Sequence, residues 1–355
     1  MMQYKGELWK INQLLIFLAT FSIVLVILKF SAPLLVPFLV SMVLTIVLNP
    51  LLEKLEQRHI PKIVSMIMLI IVALVPIIFL AENIAVEVHS LTNNFDTLNN
   101  HLNATLKSST EFFAHSKIPL SEISLIQLVE KSNMTSIVET LATQVSNQFS
   151  NIFLIFFTAG FMLMELESLQ KKMRKIAEDN HRDVNKWLKI VQKIKSYFFI
   201  KVKTSLLTAL CVAILLWFFK VKYLFLWVTL VFFLNFIPVI GSILAAIPAI
   251  ILVAVDQNIE VALWVASGYL FINIIIGNIL EPKIMGKGLG LSPLAIFISM
   301  TFWGWVFGPA GMILSVPLTM AMQFWFEQYE ETAWLSLYFS DDELLHTEEK
   351  EDVNT

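Results

Sequence analysis

Three polar residues in an apolar stretch are the best candidates for chemistry in this sequence. Asn273, Asn278 and Glu281 lie among isoleucine, leucine and phenylalanine residues. A carboxylate at the centre of a bilayer costs about 2.5–3.5 kcal/mol on insertion scales, so one that is retained there usually has a task. Glu281 could carry a proton, bind sodium, or pair with Lys283 or Lys287. The two asparagines are expected to be inward-facing hydrogen-bonding groups.

The alternative is that Glu281 only marks the end of a span. A proline disfavours helical geometry in the residue before it, so Pro282 would push Glu281 out of the helix to face cytoplasmic water. Lys201 and Lys203 could in the same way simply extend their ammonium groups to the inner interface of the membrane. Asn235 belongs with the inward-facing asparagines.

Two similar segments place proline and glycine before a short apolar stretch that ends in a second proline. They are residues 235–248 and 307–317. Proline removes a donor and clashes with the preceding turn, so each segment is predicted to contain a kinked or unwound point, and transporters use such points to bind ions or polar solutes. The alternative is an ordinary kink or a packing face of small residues. The predicted transport path comprises Asn235, Pro238, Gly241, Asn273, Asn278, Glu281, Gly308, Pro309 and Gly311.

The composition indicates that membrane-spanning helices position these residues. Of 355 residues, 57% are apolar and 15% are charged, whereas soluble domains have about 25% charged residues. We predict an all-α, polytopic integral membrane protein with about eight transmembrane helices, broken or re-entrant segments and amphipathic helical insertions. The number is eight to ten, depending on whether 224–255 makes two spans or a re-entrant hairpin.

Signals for an enzyme are largely missing. The six histidines lie outside the predicted spans and show no metal-ligand spacing, and Cys211 is the single cysteine. No catalytic residue, metal site or cofactor is therefore predicted. The glycines around Lys287 lack the spacing of a phosphate-binding loop. We do not expect nucleic-acid binding, because the basic residues are enclosed between spans.

The charge distribution sets the orientation and the domains. Segment 170–203 carries eleven Lys and Arg residues and segment 82–150 carries three lysines, and basic residues near spans favour the cytoplasmic side. The protein is therefore expected to span the bacterial inner membrane with both termini in the cytoplasm. The predicted division is 1–81, N-terminal transmembrane helices; 82–150, extracytoplasmic helical insertion; 151–169, transmembrane helix; 170–203, basic cytoplasmic amphipathic segment; 204–326, C-terminal transport core; 327–355, acidic cytoplasmic tail.

Two stretches outside the predicted spans show helical periodicity. An apolar stripe from Leu91 to Leu106 predicts a helix that packs on the membrane domain or self-associates, so a homo-oligomer is possible. An apolar face from Trp187 to Phe198, with lysines opposite, predicts a helix in the plane of the membrane beside lipid headgroups. The alternative for the second stretch is a solvated charge run in a loop.

Three blocks carry a family resemblance: 235–242, 276–293, and 302–312 with 316–318 after it. Their order and spacing resemble the AI-2E family of bacterial transporters. The resemblance implies a polytopic inner-membrane permease for export of autoinducer-2, and some family members are Na⁺(Li⁺)/H⁺ antiporters. Some members also have an acidic residue where this chain has isoleucine at 274–276, which leaves Glu281 as the nearby carboxylate.

Three hypotheses follow. The first is a secondary transporter that exports a small polar solute such as autoinducer-2. The second is an antiporter for a monovalent cation, and the third is a non-transporting membrane scaffold that displays its insertions to partners.

Overall fold

The computed structural model describes residues 2–93, 134–179, 184–285, 290–329 and 331–340. Within these ranges the chain forms helices and short connections and contains no strand. The helices are α1 (Met2–Phe30), α2 (Ala32–Glu56), α3 (Lys62–Asn93), α4 (Met134–Asp179), α5 (Val184–Phe218), α6 (Leu224–Leu234), α7 (Gly241–Asp256), α8 (Ile259–Asn273), a π-helix (Ile274–Leu280), α9 (Glu281–Met285), α10 (Pro293–Glu327) and α11 (Ala333–Leu337).

Six of the described helices are long and apolar enough to cross a membrane. The prediction of an all-α polytopic membrane protein is therefore confirmed. Three further apolar helical stretches are shorter: Leu18–Phe30, which is the C-terminal part of α1, Leu224–Leu234 and Gly241–Asp256. The six candidate spans are Ala32–Glu56, Lys62–Leu91, Asn151–Lys172, Leu188–Phe218, Ile259–Met285 and Pro293–Glu327.

The chain divides into two compact units, Met1–Thr45 with Gly290–Thr355, and Ile46–Leu289. In the second unit, α5, α6, α7 and α8 pack in a ring, each against the next. Their core is apolar and tightly packed. It includes Val212, Leu216, Val231, Ala245, Ala249, Val253 and Val265.

The first hairpin comprises α6, residues 235–240 and α7. At 1.5 Å per residue, α6 is about 16 Å long and α7 about 24 Å, and both are shorter than the ~30 Å hydrocarbon layer. The stretch 224–255 thus has the dimensions of a re-entrant hairpin rather than of two spans. The two helices approach closely because Gly241 has no side chain; a Cβ there would overlap the carbonyl oxygen of Leu234.

The base of the first hairpin is held by contacts between the residues at its two ends and by α3. Lys222 Nζ lies 2.5 Å from Asp256 Oδ1, and Gln257 Nε2 donates to the carbonyl of Phe219 at 3.0 Å. The carboxylate of Glu87 in α3 accepts the backbone N–H groups of Phe225 (3.3 Å) and Leu226 (2.6 Å). The last contact satisfies orphan donors in the first turn of α6.

The second hairpin lies in the other unit, within α10. Gly308 has φ 67° and ψ −152°, a conformation open essentially to glycine alone. Trp303 Nε1 donates to Thr319 Oγ1 at 3.2 Å, although residues 16 apart on a straight helix are about 24 Å apart. The helix therefore folds back at Gly308, and the parts of α10 before and after this residue form the two arms of one hairpin.

Both predicted breaks are thus present, and in both a glycine without a side chain lets the two arms of the hairpin approach closely. A Cβ on Gly311 would overlap the carbonyl oxygen of Trp303 across the second hairpin, as one on Gly241 would across the first. In the same unit, α11 folds back on α10, where Ser292 donates its N–H to the carbonyl of Phe339 at 2.9 Å.

The prediction of a separate basic helix in the membrane plane is wrong. Helix α5 runs without a break from Val184 to Phe218, across the predicted boundary at 203/204. It contains no glycine or proline that would end it. Residues 184–203 of the basic segment therefore continue the axis of a span, and the alternative of a solvated loop is wrong for this part of the segment.

Other parts of the predicted division stay predictions. Helix α4 crosses the expected boundaries at 150/151 and 169/170. The apolar stripe beyond Asn93 and the acidic tail after residue 340 lie outside the described residues.

Candidate functional site

The candidate site begins with a polar stripe on α5. Lys201, Thr204, Ser205 and Thr208 (the α5 polar stripe) follow the spacing i, i+3, i+4, i+7 of one helix face. All four are buried, although they lie within the candidate span Leu188–Phe218. Polar residues inside a membrane span are costly and usually face the interior of the protein, where they have partners.

The stripe holds Glu281 by both carboxylate oxygens. Lys201 Nζ lies 2.6 Å from Glu281 Oε1, and Thr204 Oγ1 donates to Oε2 at 3.1 Å. Only 7% of the Lys201 side chain and 13% of the Glu281 side chain are exposed. The site is therefore a desolvated, charge-assisted ion pair, the strong form of such a contact.

This geometry corrects three expectations. Among the described residues the partner of Glu281 is Lys201. Lys283 is exposed, and the other expected partner, Lys287, lies outside the described residues. Glu281 is largely buried and does not face water, and the Lys201 ammonium pairs with it instead of extending to the lipid headgroups. Each buried charge is stabilised only because the other is present, since an isolated one would carry the full cost of leaving water.

A π-helix explains how Glu281 stays helical beside a proline. Glu281 has φ −59° and ψ −51°, so the expectation that Pro282 forces it out of the helix is wrong. A proline ring normally clashes with the carbonyl four residues earlier. In the π-helix Ile274–Leu280 the bonds run i to i+5, and the wider turn gives the ring room.

The tip of the first hairpin reaches the same region. Asn235 is buried and donates from Nδ2 to Ser205 Oγ at 3.0 Å. Ser242, in the first turn of α7, donates to Asn273 Oδ1 at 2.7 Å. The tip is therefore held between the α5 polar stripe and the start of the π-helix, and it sits one residue along α5 from Thr204.

The comparisons with known proteins identify the family. The family model described as "AI-2E family transporter" matches residues 15–331. The chain belongs to the AI-2E transporter family. The AI-2 transport protein TqsA of Escherichia coli K12 is 33% identical over 329 residues, covering 93% of this chain and 96% of that protein.

Two further relatives show that the similarity extends along most of this AI-2E transporter. A Haemophilus influenzae protein is 33% identical over 337 residues, with 93% of this chain and 97% of that protein covered. The Escherichia coli K12 protein YhhT is 28% identical over 314 residues, with 88% and 90% covered. With its apolar helices, the chain is a multi-pass bacterial membrane protein of a transporter family, as the resemblance implies.

The structure of this AI-2E transporter divides the predicted path residues between its two units. Of the six in Ile46–Leu289, Glu281 and Asn235 meet the α5 polar stripe, and Asn273 bonds the start of α7. Pro238 and Gly241 are buried in the hairpin turn, whereas Asn278 is exposed, contrary to its expected inward position. The other three, Gly308, Pro309 and Gly311, form the turn of the second hairpin. Their role in transport stays a prediction.

The sequence reasoning missed the α5 polar stripe. Lys201 was placed at a span end, and Thr204, Ser205 and Thr208 received no role. The available signal was the spacing of the four residues, which puts every polar side chain of 201–208 except Lys203 on one face.

Proposed function

We propose that this AI-2E transporter exports a small polar solute of the autoinducer-2 type across the bacterial inner membrane. The relative TqsA, named for AI-2 transport, supports the substrate class. The eleven basic residues of 170–203 support a cytoplasmic position for that segment and for both termini. The observation that carries the proposal is the buried Lys201–Glu281–Thr204 network.

This network suits a hydroxyl-rich solute. The Lys201 ammonium donates hydrogen bonds, the Glu281 carboxylate accepts them and the Thr204 hydroxyl can do both. A solute with several hydroxyl groups can thus satisfy each member when the pair separates. Without such a replacement the separated charges would be buried and unpaired, so separation is favoured when solute is present.

The first hairpin supplies the moving part of the proposed cycle. Its tip is joined to the stripe by Asn235 and to the π-helix by Ser242. Movement of the tip would uncover the network on one side, and broken helices serve this purpose in other transporters.

Solute efflux from proteoliposomes tests the proposal. The purified full-length protein is reconstituted into liposomes that are loaded with autoinducer-2. The rate of autoinducer-2 release is then compared for wild type, Glu281→Gln and Thr204→Val. We expect release to be at least about tenfold slower in Glu281→Gln, a loss of about 1.4 kcal/mol in transition-state stabilisation. Glu167→Gln is the matched control, since Glu167 forms an exposed pair with Lys62.

Thr204→Val keeps the shape of the side chain and both charges, so it tests the network if Glu281→Gln folds poorly. Release at the wild-type rate by both variants would overturn the site. Proton-coupled exchange with sodium or lithium, together with no transport of autoinducer-2, would show that the substrate is a monovalent cation and not a polar solute.

A further inference from the structure

A groove of about 380 Å³ opens between α5 and α9, outside the ion-pair network. Its wall on α5 follows one helix face over three turns, and Met285 closes the other side. The residues that line it are Lys189, Gln192, Lys193, Ser196, Tyr197, Ile200 and Met285.

The lining changes character along the groove. Ile200 and Met285 are apolar, and Ile200 lies at the end beside Lys201 of the buried network. Lys189 and Lys193 lie at the other end, and both are exposed. None of the described residues that line the groove is a carboxylate, and its polar end offers ammonium, amide and hydroxyl donors to a ligand rich in acceptors.

The depth of the groove in the membrane follows from the length of α5. Trp217 and Phe218 are exposed at its C-terminal end, as expected of aromatic residues at a membrane interface. Counting back about 20 residues, or ~30 Å, places the opposite hydrocarbon boundary near Phe199. Lys193 then lies about 9 Å and Lys189 about 15 Å beyond this boundary, while Ile200 lies at it.

We propose that this groove binds the headgroup of an anionic phospholipid. The lipid phosphate lies against Lys193 and Lys189, and the start of an acyl chain lies against Ile200 and Met285. Basic pockets between membrane helices on the cytoplasmic side are typical sites for such headgroups. The proposal does not depend on the transported solute.

A bound lipid would stand beside the transport network. Tyr197 lines the groove and precedes Lys201 by one turn of α5. Its hydroxyl is buried and has no hydrogen-bond partner within the described part of the chain, a state that costs about as much as a lost hydrogen bond. Tyr197 therefore stands in the wall between groove and network with an unsatisfied hydroxyl, and a small movement of this wall would let the hydroxyl gain a hydrogen bond.

Native mass spectrometry of the full-length protein in detergent measures the binding directly. Dioleoyl phosphatidylglycerol is compared with dioleoyl phosphatidylcholine as titrant. We expect wild type to bind the anionic lipid about tenfold or more tightly, and the double variant Lys189→Gln/Lys193→Gln to lose most of this preference.

The matched control is Lys195→Gln/Lys203→Gln, which removes the same charge from the same helix at positions outside the groove. The control should keep the preference for the anionic lipid. An equal loss in both double variants, or no loss in either, would overturn the groove as the site. Displacement of the lipid by inorganic phosphate would overturn the lipid assignment in favour of a free anion. Because lipid binding is measured without transport, a negative result for the groove can be distinguished from a negative result for the proposed transport function.

Discussion

Removing one charge of the Lys201–Glu281 pair should harm the protein more than removing both. Three variants test this: Lys201→Met, Glu281→Met and the double variant. Methionine approximates the length of both side chains, so the changes remove charge with little change in packing volume.

The geometry sets the expected magnitudes. The pair is 2.6 Å apart and its side chains are 7% and 13% exposed. Loss of one partner from such a pair costs about 3–5 kcal/mol of folding free energy, whereas replacement of both by apolar residues is neutral or stabilising by about 1–4 kcal/mol. Lys201→Met should fall at the lower end, because Glu281 keeps the hydroxyl of Thr204.

Thermal unfolding of the purified protein in detergent provides the assay, combined with autoinducer-2 release from liposomes. Both single variants should unfold at lower temperature than wild type, and the double variant should unfold near it. Export should be lost in all three, since the proposed solute site needs both charges. The exposed pair Lys62–Glu167 (2.9 Å) is the control, and its methionine variants should show no measurable change.

Two results would refute this reasoning. Single variants as stable as wild type would show that neither charge depends on the other in the folded protein. A double variant whose loss equals the sum of the two single losses would show that the residues are not coupled.

The glycines at the two hairpins give the remaining predictions. Gly241→Ala should prevent the close approach of α6 and α7 and so lower the unfolding temperature. The control is Gly268→Ala, which should lower it much less, because the nearest atoms to its Cβ belong to the flexible side chain of Leu215, at 2.5 Å. Similar unfolding temperatures for the two variants would contradict the role of Gly241. Gly308→Ala should cost about 1–3 kcal/mol because of its positive φ, measured by the same unfolding assay, and an unchanged midpoint would show that the second hairpin does not need that conformation.

The sequence predicted the breaks well because their causes are local. Pro238 and Gly241, and likewise Gly308 and Pro309, act on the backbone within a few residues, so their effect is visible without the fold. The length of α5 was missed because the basic residues suggested a separate element, while the absence of glycine and proline favoured continuation.

The ion pair was not predictable in the same way. Lys201 and Glu281 are 80 residues apart, and only the packing of α5 against the π-helix makes them partners. The π-helix itself leaves no distinct pattern in the isoleucines of 274–276, and without it Pro282 argued for a span end. Asn278 was expected inside because it shares a stretch with Asn273, yet Asn273 is half-buried and bonded to Ser242 whereas Asn278 is exposed.

The first hairpin is held more strongly at its base than at its tip, so the tip should separate from its neighbours more often than the base does. An ion pair and a carboxylate cap hold the base, whereas two neutral side-chain hydrogen bonds, from Asn235 and Ser242, are the side-chain ties described for the tip. At about 0.5–1.5 kcal/mol each, these bonds alone would set a released population on the order of 1–10% at equilibrium, and the burial of Ile237 and Pro238 in the turn lowers it further. Hydrogen exchange should therefore be faster at 236–241 than in α6, and equal protection would contradict it. In the proposed cycle, release on this scale would leave Lys201 and Glu281 paired, so the tip would open many times for each solute that separates the charges.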